Sequence, residues 1–269
     1  MSQTDDAAVD QEFVEVLHQS ADESASAILP YFRTNTEIVN KSSSDFDPVT
    51  AADRAAEQAI RDVIASRFPG HGIVGEEFGV VQAGARFQWV IDPIDGTRAF
   101  VQGLPTWGTL IAVSDSGKPV AGVMNQPFTR ERFWSDGRSA FFRRDGQTKQ
   151  RIRTRAASLG SAQMCTTDPA LFAAGYEQAA FRALHSSVRH CRYGTDCYAY
   201  ALVAAGHVDI VLESGLNSYD IAALIPIIEH AGGRVTNWAG GPAADGGRIL
   251  ACGDARLHKE VVDLLARAS

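Results

Sequence analysis

An α/β fold, with an α+β first half, is predicted by three observations. After residue 162 short β-prone runs alternate with helical ones, which implies helices layered on a sheet. Between Gly108 and Arg143 apolar, β-rich runs follow one another through tight turns at Asp115-Ser116-Gly117 and Asp136-Gly137, the pattern of an antiparallel meander. Ahead of that meander lie two amphipathic helical patterns. A chain of 269 residues has room for one large domain or two modest ones. The expected division is an N-terminal α+β half, 1–150, with the antiparallel sheet, and a C-terminal α/β half, 151–269, within one compact unit.

Val9, Phe13, Val16, Leu17 and Ile28 share one face of a first helix, which Pro30 ends or kinks. Residues 40–48 form a polar loop. A second helix begins near Val49 and stops before Pro69-Gly70, with Thr50 and Asp53 spaced as a capping box. Ile73-Val74 makes a short strand leading into Gly75-Glu76-Glu77. Phe87, Trp89, Val90 and Ile91 form a buried strand that stops at Pro93, because proline cannot donate to a ladder and fixes its own φ. Gly96 and Thr97 open a helix or helical turn. Further strands fall at 163–166, 188–193, 208–213, 234–238 and 248–252. Further helices fall at 176–185, 196–205, 219–231 (with Pro226 inside) and 255–266.

The net charge of −7 argues against general nucleic-acid binding, and no apolar run is long enough to span a bilayer. The acidic, polar start MSQTDDAAVD lacks the basic and apolar regions of a signal peptide, so a cytoplasmic protein is expected. Cys165, Cys191, Cys197 and Cys252 lack zinc-type spacing and read as small buried hydrophobes. Arg138, Arg143, Arg144, Lys149, Arg151, Arg153 and Arg155 make a basic run. It is either a nucleic-acid patch or the solvated face of an edge strand, and the overall acidity favours the edge strand.

The stretch WVIDPIDGTRAF concentrates the chemistry. Asp92 and Asp95 stand at a strand end, where paired carboxylates suit hard divalent cations. The Gly96-Thr97 turn offers backbone N–H groups to an anion such as phosphate. Side by side, they point to metal-assisted phosphate chemistry; the alternative is a turn whose aspartates merely bond backbone N–H groups. Taken singly, Asp53 and Asp220 read as first-turn helix acids and Glu76 and Glu77 as surface charge.

As an ordered set, GEE, DPIDGT and YDIAA resemble the inositol monophosphatase superfamily of magnesium-dependent, lithium-sensitive phosphatases, from the Lys41 loop to GGRVTNWAGG. The resemblance implies a layered αβαβα sandwich of the inositol monophosphatase and fructose bisphosphatase type, acting as a homodimer on a small phosphate monoester. It implies that Glu76, Asp92, the carbonyl of Ile94, Asp95 and Asp220 bind two or three Mg2+ ions. Asp95, Gly96 and Thr97 are then phosphate-binding residues, and Thr97, Asp53 and Glu76 are catalytic, with Thr97 and Asp53 orienting the attacking water. Glu77 and Lys41 take supporting places. The implied reaction is direct attack on phosphorus by a metal-activated water.

Two departures bear on substrate: Tyr219 stands where many members have Trp, and Arg98-Ala99 follows the DGT threonine where inositol phosphatases usually carry Asn at the second place. DGTRAFVQGLPTWGTLI, NQPFTRERFW, TTDPALF and YGTDCYAYALVAAGHVDIVLE resemble the histidinol-phosphatase branch, which implies L-histidinol phosphate as substrate. A substrate with an ammonium and an imidazole calls for carboxylates in its pocket. Asp196 and Glu213 are the candidates for substrate binding, with Thr166 and Thr167 behind them. The alternatives are a helix N-terminal acid for Asp196 and a rim salt bridge for Glu213. At the level of the whole chain, the alternatives are another small-molecule monophosphatase, inositol phosphate included, or a non-catalytic metal-dependent regulator. Retention of Thr97, Asp53 and Glu76 argues against the regulator.

Overall fold

Helices and sheets alternate in five layers, and the residue pattern of each strand shows why. The computed structural model describes residues 11–34, 38–40 and 48–268, with the side chains of 38–40 and 48–50 left aside. In chain order these are α1 (Gln11–Ile28), β1 (Ile38–Asn40), β2 (Pro48–Thr50), α2 (Ala51–Arg67), β3 (Gly72–Gly75), β4 (Gly79–Val81), β5 (Phe87–Asp95) and α3 (Thr97–Val101). The meander follows as β6 (Gly108–Asp115), β7 (Lys118–Gln126), β8 (Glu131–Ser135), β9 (Ala140–Arg144) and β10 (Gln150–Arg151). Then come β11 (Gln163–Thr166), α4 (Tyr176–His185), β12 (His190–Tyr193), α5 (Asp196–Ala204), β13 (Ile210–Leu216), α6 (Ser218–Ile221) and α7 (Leu224–His230). The chain closes with β14 (Arg234–Asn237), β15 (Gly247–Cys252) and α8 (Ala255–Leu265).

An eight-stranded sheet runs β10-β9-β8-β7-β6-β5-β3-β4, and a five-stranded sheet runs β12-β11-β13-β15-β14. Both are mixed: β3 lies parallel to β5 and β11 parallel to β12 and β13, with the other pairings antiparallel. Successive strand residues face opposite sides. On one side of the large sheet Trp89, Ile91, Ile111 and Val123 pack with Phe13, Leu17, Ile60 and Ile64 of α1 and α2. On the other side Val90, Leu110, Ala112 and Met124 meet Ala201, Ile225 and Ile228 of α5 and α7, which also cover Val211, Ile249 and Ala251 of the small sheet. The outer face of that sheet, with Met164, Ile210, Leu212 and Leu250, carries Leu184 of α4 and Val261 of α8. Because both faces of the central strands are covered, they read as near-continuous apolar runs.

Three expectations are corrected. Pro93 does not end its strand: β5 continues to Asp95 through a register shift between Asp92 and Asp95, and a bulge is where a missing N–H is tolerated. The helix expected over 219–231 is two helices, with Ala222 and Ala223 between them; Pro226 therefore falls in the first turn of α7, where no intrahelical partner is lost. The strand expected at 208–213 is displaced to Ile210–Leu216. The basic run is divided. Gln150 and Arg151 pair at the sheet edge, whereas Arg155 makes a double contact of 2.7 and 2.8 Å with the buried Asp209. Cys165, Cys197 and Cys252 are buried and Cys191 is only partly so. Residues 41–47 of the expected polar loop, Lys41 included, lie outside the described residues, as does the Thr50 side chain of the expected capping box. No helix of the described residues is long and apolar enough to cross a membrane.

One glycine sets how closely the central helices approach the large sheet. A Cβ on Gly122 of β7 would lie 2.5 Å from the carbonyl oxygen of Ala223, at the junction of α6 and α7. The obstacle is backbone, so it cannot swing aside. Gly122→Ala is expected to destabilise the protein by roughly 1–3 kcal/mol, as overpacking does, measured by urea denaturation; an unchanged midpoint would show that the layers can part at little cost.

Candidate active site

The site begins with the bulge. Along a regular strand, residues three apart face opposite sides, so Asp92 and Asp95 would diverge. Here Asp92 pairs with Leu110 and Asp95 with Gly108, leaving Pro93 and Ile94 opposite Thr109 alone. The extra residue reverses the parity. Carboxylate oxygens of Asp92, Asp95 and Asp220 consequently lie within 4.8 Å of one another. Thr109 holds the bulge: its hydroxyl donates to the Pro93 carbonyl at 2.8 Å and meets Ser24 Oγ at 3.0 Å. Ile94, fully buried with Trp107 and Phe100, anchors the bulge to the core.

Other elements bring their groups to this point. Gly96, at φ +81°, turns the chain into α3, and the Thr97 hydroxyl donates to the Ile94 carbonyl at 3.1 Å. Asp220 reaches back to the N–H of Asn217 at 2.6 Å in a capping box, so the helix-acid role expected of it coexists with its place in the cluster. Glu76 follows β3, its N–H donating to the Ile91 carbonyl at 3.3 Å, and its charge acts on both Asp92 and Asp220. Asp53, in the first turn of α2, is 2% exposed and adds to the field on Asp92. Glu77 sits one residue beyond Glu76 in the same turn.

Electrostatics single out this cluster. Burial, then the charges of Glu76, Asp95, Asp220 and Asp53, hold the Asp92 carboxyl well above the usual carboxylate range. Burial, then Asp220 and Asp196, do the same to Asp95, against a hydrogen bond from Cys197. Asp220 is pushed up to about 6, first by burial. Asp92 Oδ1 is buried and accepts no hydrogen bond. An oxygen-only donor set, with one buried oxygen unsatisfied and its charges repelling one another, fits a hard divalent cation. The converging oxygens are those of Asp92, Asp95 and Asp220, and Glu76 adds its charge to them.

A second acidic pair adjoins the first. Cys197 donates its N–H to Asp95 Oδ2 at 2.8 Å, so the N-terminus of α5 rests on the acidic turn and places Asp196 beside it. A Cβ on Gly96 would lie 3.0 Å from that of Asp196. Asp196 adopts φ +42° and accepts a bond from Thr106 Oγ1 at 3.0 Å; burial raises its pKa, while Thr106 and the charge of Arg98 lower it. Glu213 is 2% exposed. Its Oε1 accepts from the Thr167 N–H at 2.6 Å and hydroxyl at 3.0 Å, and its Oε2 from the Thr166 hydroxyl at 3.3 Å. A rim salt bridge therefore does not describe it. Burial pushes Glu213 up to about 7, with Asp196 adding to the effect.

Sequence reasoning passed over Tyr200. Its ring is 3% exposed, its hydroxyl has no hydrogen-bond partner, and the charges of Glu213, Asp95 and Asp220 act on it. It stands four residues after Asp196, on the same face of α5, which is the spacing that could have revealed it.

Comparisons with known proteins agree on one family. The model of the inositol monophosphatase family matches residues 9–268. The chain is 40% identical to the bifunctional phosphatase IMPL2, chloroplastic, of Arabidopsis thaliana, covering 98% of this chain and 78% of that protein. It is 38% identical to a histidinol-phosphatase of Mycobacterium tuberculosis, over 82% of this chain and 85% of that one. Among solved structures, an inositol monophosphatase from Zymomonas mobilis superposes with a TM-score of 0.84 at 37% identity, over 95% of this chain and 98% of that one.

The raised pKa of Glu213 has a direct consequence for stability. A carboxyl that titrates near 4.5 in the unfolded chain and near 7 when folded favours the folded state below pH 4.5, and that contribution is lost as pH rises through 7. In the metal-free protein, Glu213→Gln is expected to gain roughly 1–3 kcal/mol on the wild type between pH 5 and pH 8, read by urea denaturation at both values. A pH-independent difference would mean that Glu213 is already ionised in the fold at pH 5.

Proposed function

The chain belongs to the inositol monophosphatase family, and from that premise we propose that it is a magnesium-dependent phosphatase that hydrolyses L-histidinol phosphate to L-histidinol and phosphate. The observation carrying the substrate is the pair of carboxylates beside the acidic turn, the half-buried Asp196 and the buried Glu213. A phosphate ester of a cationic alcohol needs negative charge on its leaving-group side. An uncharged polyol can donate its hydroxyls to these acids but makes no ion pair with them. The histidinol-phosphatase name of the Mycobacterium tuberculosis relative supports the same reading.

In this reading Glu76, Asp92, the Ile94 carbonyl, Asp95 and Asp220 hold two or three Mg2+ ions. Bound magnesium lowers the pKa of water and neutralises the phosphate and the leaving alkoxide. The protein's groups orient the reactants. Gly96 and Thr97 take the phosphoryl oxygens together with Asp95, at a turn where the φ of +81° and the close Asp196 side chain favour glycine at Gly96. Thr97 and Asp53 orient the water that attacks phosphorus. Glu77 supports Glu76. Asp196 and Glu213 take the ammonium and imidazole, with Thr166 and Thr167 fixing the Glu213 carboxylate. The P–O bond to the alcohol breaks as the bond to water forms, and no phosphoenzyme intervenes. The homodimer, the cytoplasmic setting, the lithium sensitivity and a supporting place for Lys41 belong to this reading as well. A second reading, an inositol or other small monoester phosphatase on the same site, is favoured by the likeness to the Zymomonas mobilis protein.

Stripping divalent ions with EDTA is expected to abolish phosphate release from histidinol phosphate, and added magnesium to restore it. Activity surviving in the stripped protein would overturn the metal assignment. Asp196→Asn tests the substrate. Asparagine tolerates the positive φ, so only the charge is lost. The variant is expected to lose roughly 2–4 kcal/mol in kcat/KM on histidinol phosphate while turning over inositol phosphate as the wild type does. Equal losses on both would make Asp196 structural. A wild-type preference for inositol phosphate would favour the second reading.

A further inference from the structure

The turn that presents Glu76 is held from behind by a buried ion pair. Gly75 and Gly79 are the last paired residues of the β3–β4 hairpin, so Glu76, Glu77 and Phe78 form its loop. Each loop N–H has a partner. Glu76 donates to the Ile91 carbonyl at 3.3 Å. Glu77 and Phe78 donate to the two carboxylate oxygens of Glu57, at 2.6 and 3.1 Å. Glu57 is fully buried in α2, and Arg61, one turn on, donates to it at 2.7 Å and to the Gly79 carbonyl. The ring of Phe78 lies under the guanidinium groups of Arg54 and Arg61. A Cβ on Gly75 would lie 2.0 Å from Glu57 Oε1 and 2.7 Å from Arg61 Nη2, so the ion pair occupies the space a side chain would need.

A buried ion pair adds little net stability, because desolvation consumes most of its attraction; its effect is to fix geometry. The geometry in question is that of the acidic centre. Asp53, Glu57 and Arg61 follow one another at intervals of four along one buried stripe of α2. The same stripe thus carries an acid of the cluster at one end and the clamp on the Glu76 loop at the other.

We propose that Glu57 and Arg61 are positioning residues that set the divalent-metal affinity of the site by fixing the loop that carries Glu76. The proposal rests on the reading of Glu76 as a metal ligand. Neither residue touches metal or substrate. Glu57 accepts from Arg61 and Phe78 on one oxygen and from Glu77 on the other, so replacing either oxygen by an amide NH2 sets a donor against a donor.

The test is calorimetric titration of the purified full-length protein with magnesium alone, alongside thermal unfolding. Glu57→Gln is expected to weaken magnesium binding roughly 10-fold or more, as removal of outer-shell partners of metal ligands does. Arg61→Lys, which keeps the charge but loses the fork, is expected to fall between it and the wild type. Asp209→Asn, which disrupts the contact of the buried Asp209 just before β13 with the partly exposed Arg155, controls for lost stability: it is expected to lower the melting temperature and leave magnesium affinity unchanged. Wild-type affinity in a folded Glu57→Gln overturns the proposal; if that variant does not fold, wild-type affinity in Arg61→Lys overturns it. Equal weakening in Asp209→Asn overturns it too, by making the effect one of general stability. A wild type that binds no divalent ion removes the metal reading itself, and the proposal with it.

Discussion

The β5 bulge is the constraint on which the rest of the site depends. Without it the strand's parity would send one of Asp92 and Asp95 into an apolar layer, where an unpaired carboxylate is very costly. With it, both meet Asp220, and the first turn of α5 finds an acceptor in Asp95. Proline suits this position because a bulged residue is released from the ladder. Thr109 and Ser24 hold the distortion from the sheet and from α1, so even the outermost helical layer contributes to the acidic turn.

A site assembled this way stores repulsion. Glu76, Asp92, Asp95 and Asp220 arrive from three places in the chain, and packing, not mutual attraction, brings their charges together. The large sheet contributes Asp92 and Asp95, the hairpin loop Glu76, the first turn of α2 Asp53, and the short helix between the sheets Asp220. A polyvalent cation turns that repulsion into attraction, which is why an acidic cavity and a phosphate ester are compatible.

Much of this was legible in the sequence, for identifiable reasons. Local signals with a strong mechanism came through: the apolar, β-rich runs of β6 to β9, the amphipathic stripe of α1, the turn residues of the meander, and the acids at element ends. Pro93 misled because a proline that ends a strand and one that sits in a bulge look alike until the partner strand is known. The break at Ala222-Ala223 was hidden because two alanines have high helix propensity, and only Gly122 approaching from β7 reveals the junction there. Glu57 and Arg61 escaped notice because an i, i+4 acid–base pair on a helix is ordinarily a solvated surface pair, and nothing local marks it as buried. Tyr200 escaped because a tyrosine in an alanine-rich helix reads as packing.

The left-handed backbone at Asp196 bears on how such a phosphatase can change its substrate over generations. Glycine adopts this conformation freely, and asparagine and aspartate are the side chains that adopt it most readily, whereas branched or bulky residues are strained there. The alternatives open at this position are therefore small and differ chiefly in whether they carry a negative charge. Their codons are also single-base neighbours of those for aspartate. The fold thus confines inheritance at this point to a short alphabet in which a one-base change alters the charge beside the acidic turn, the side proposed for the leaving group, without disturbing the chain that carries it.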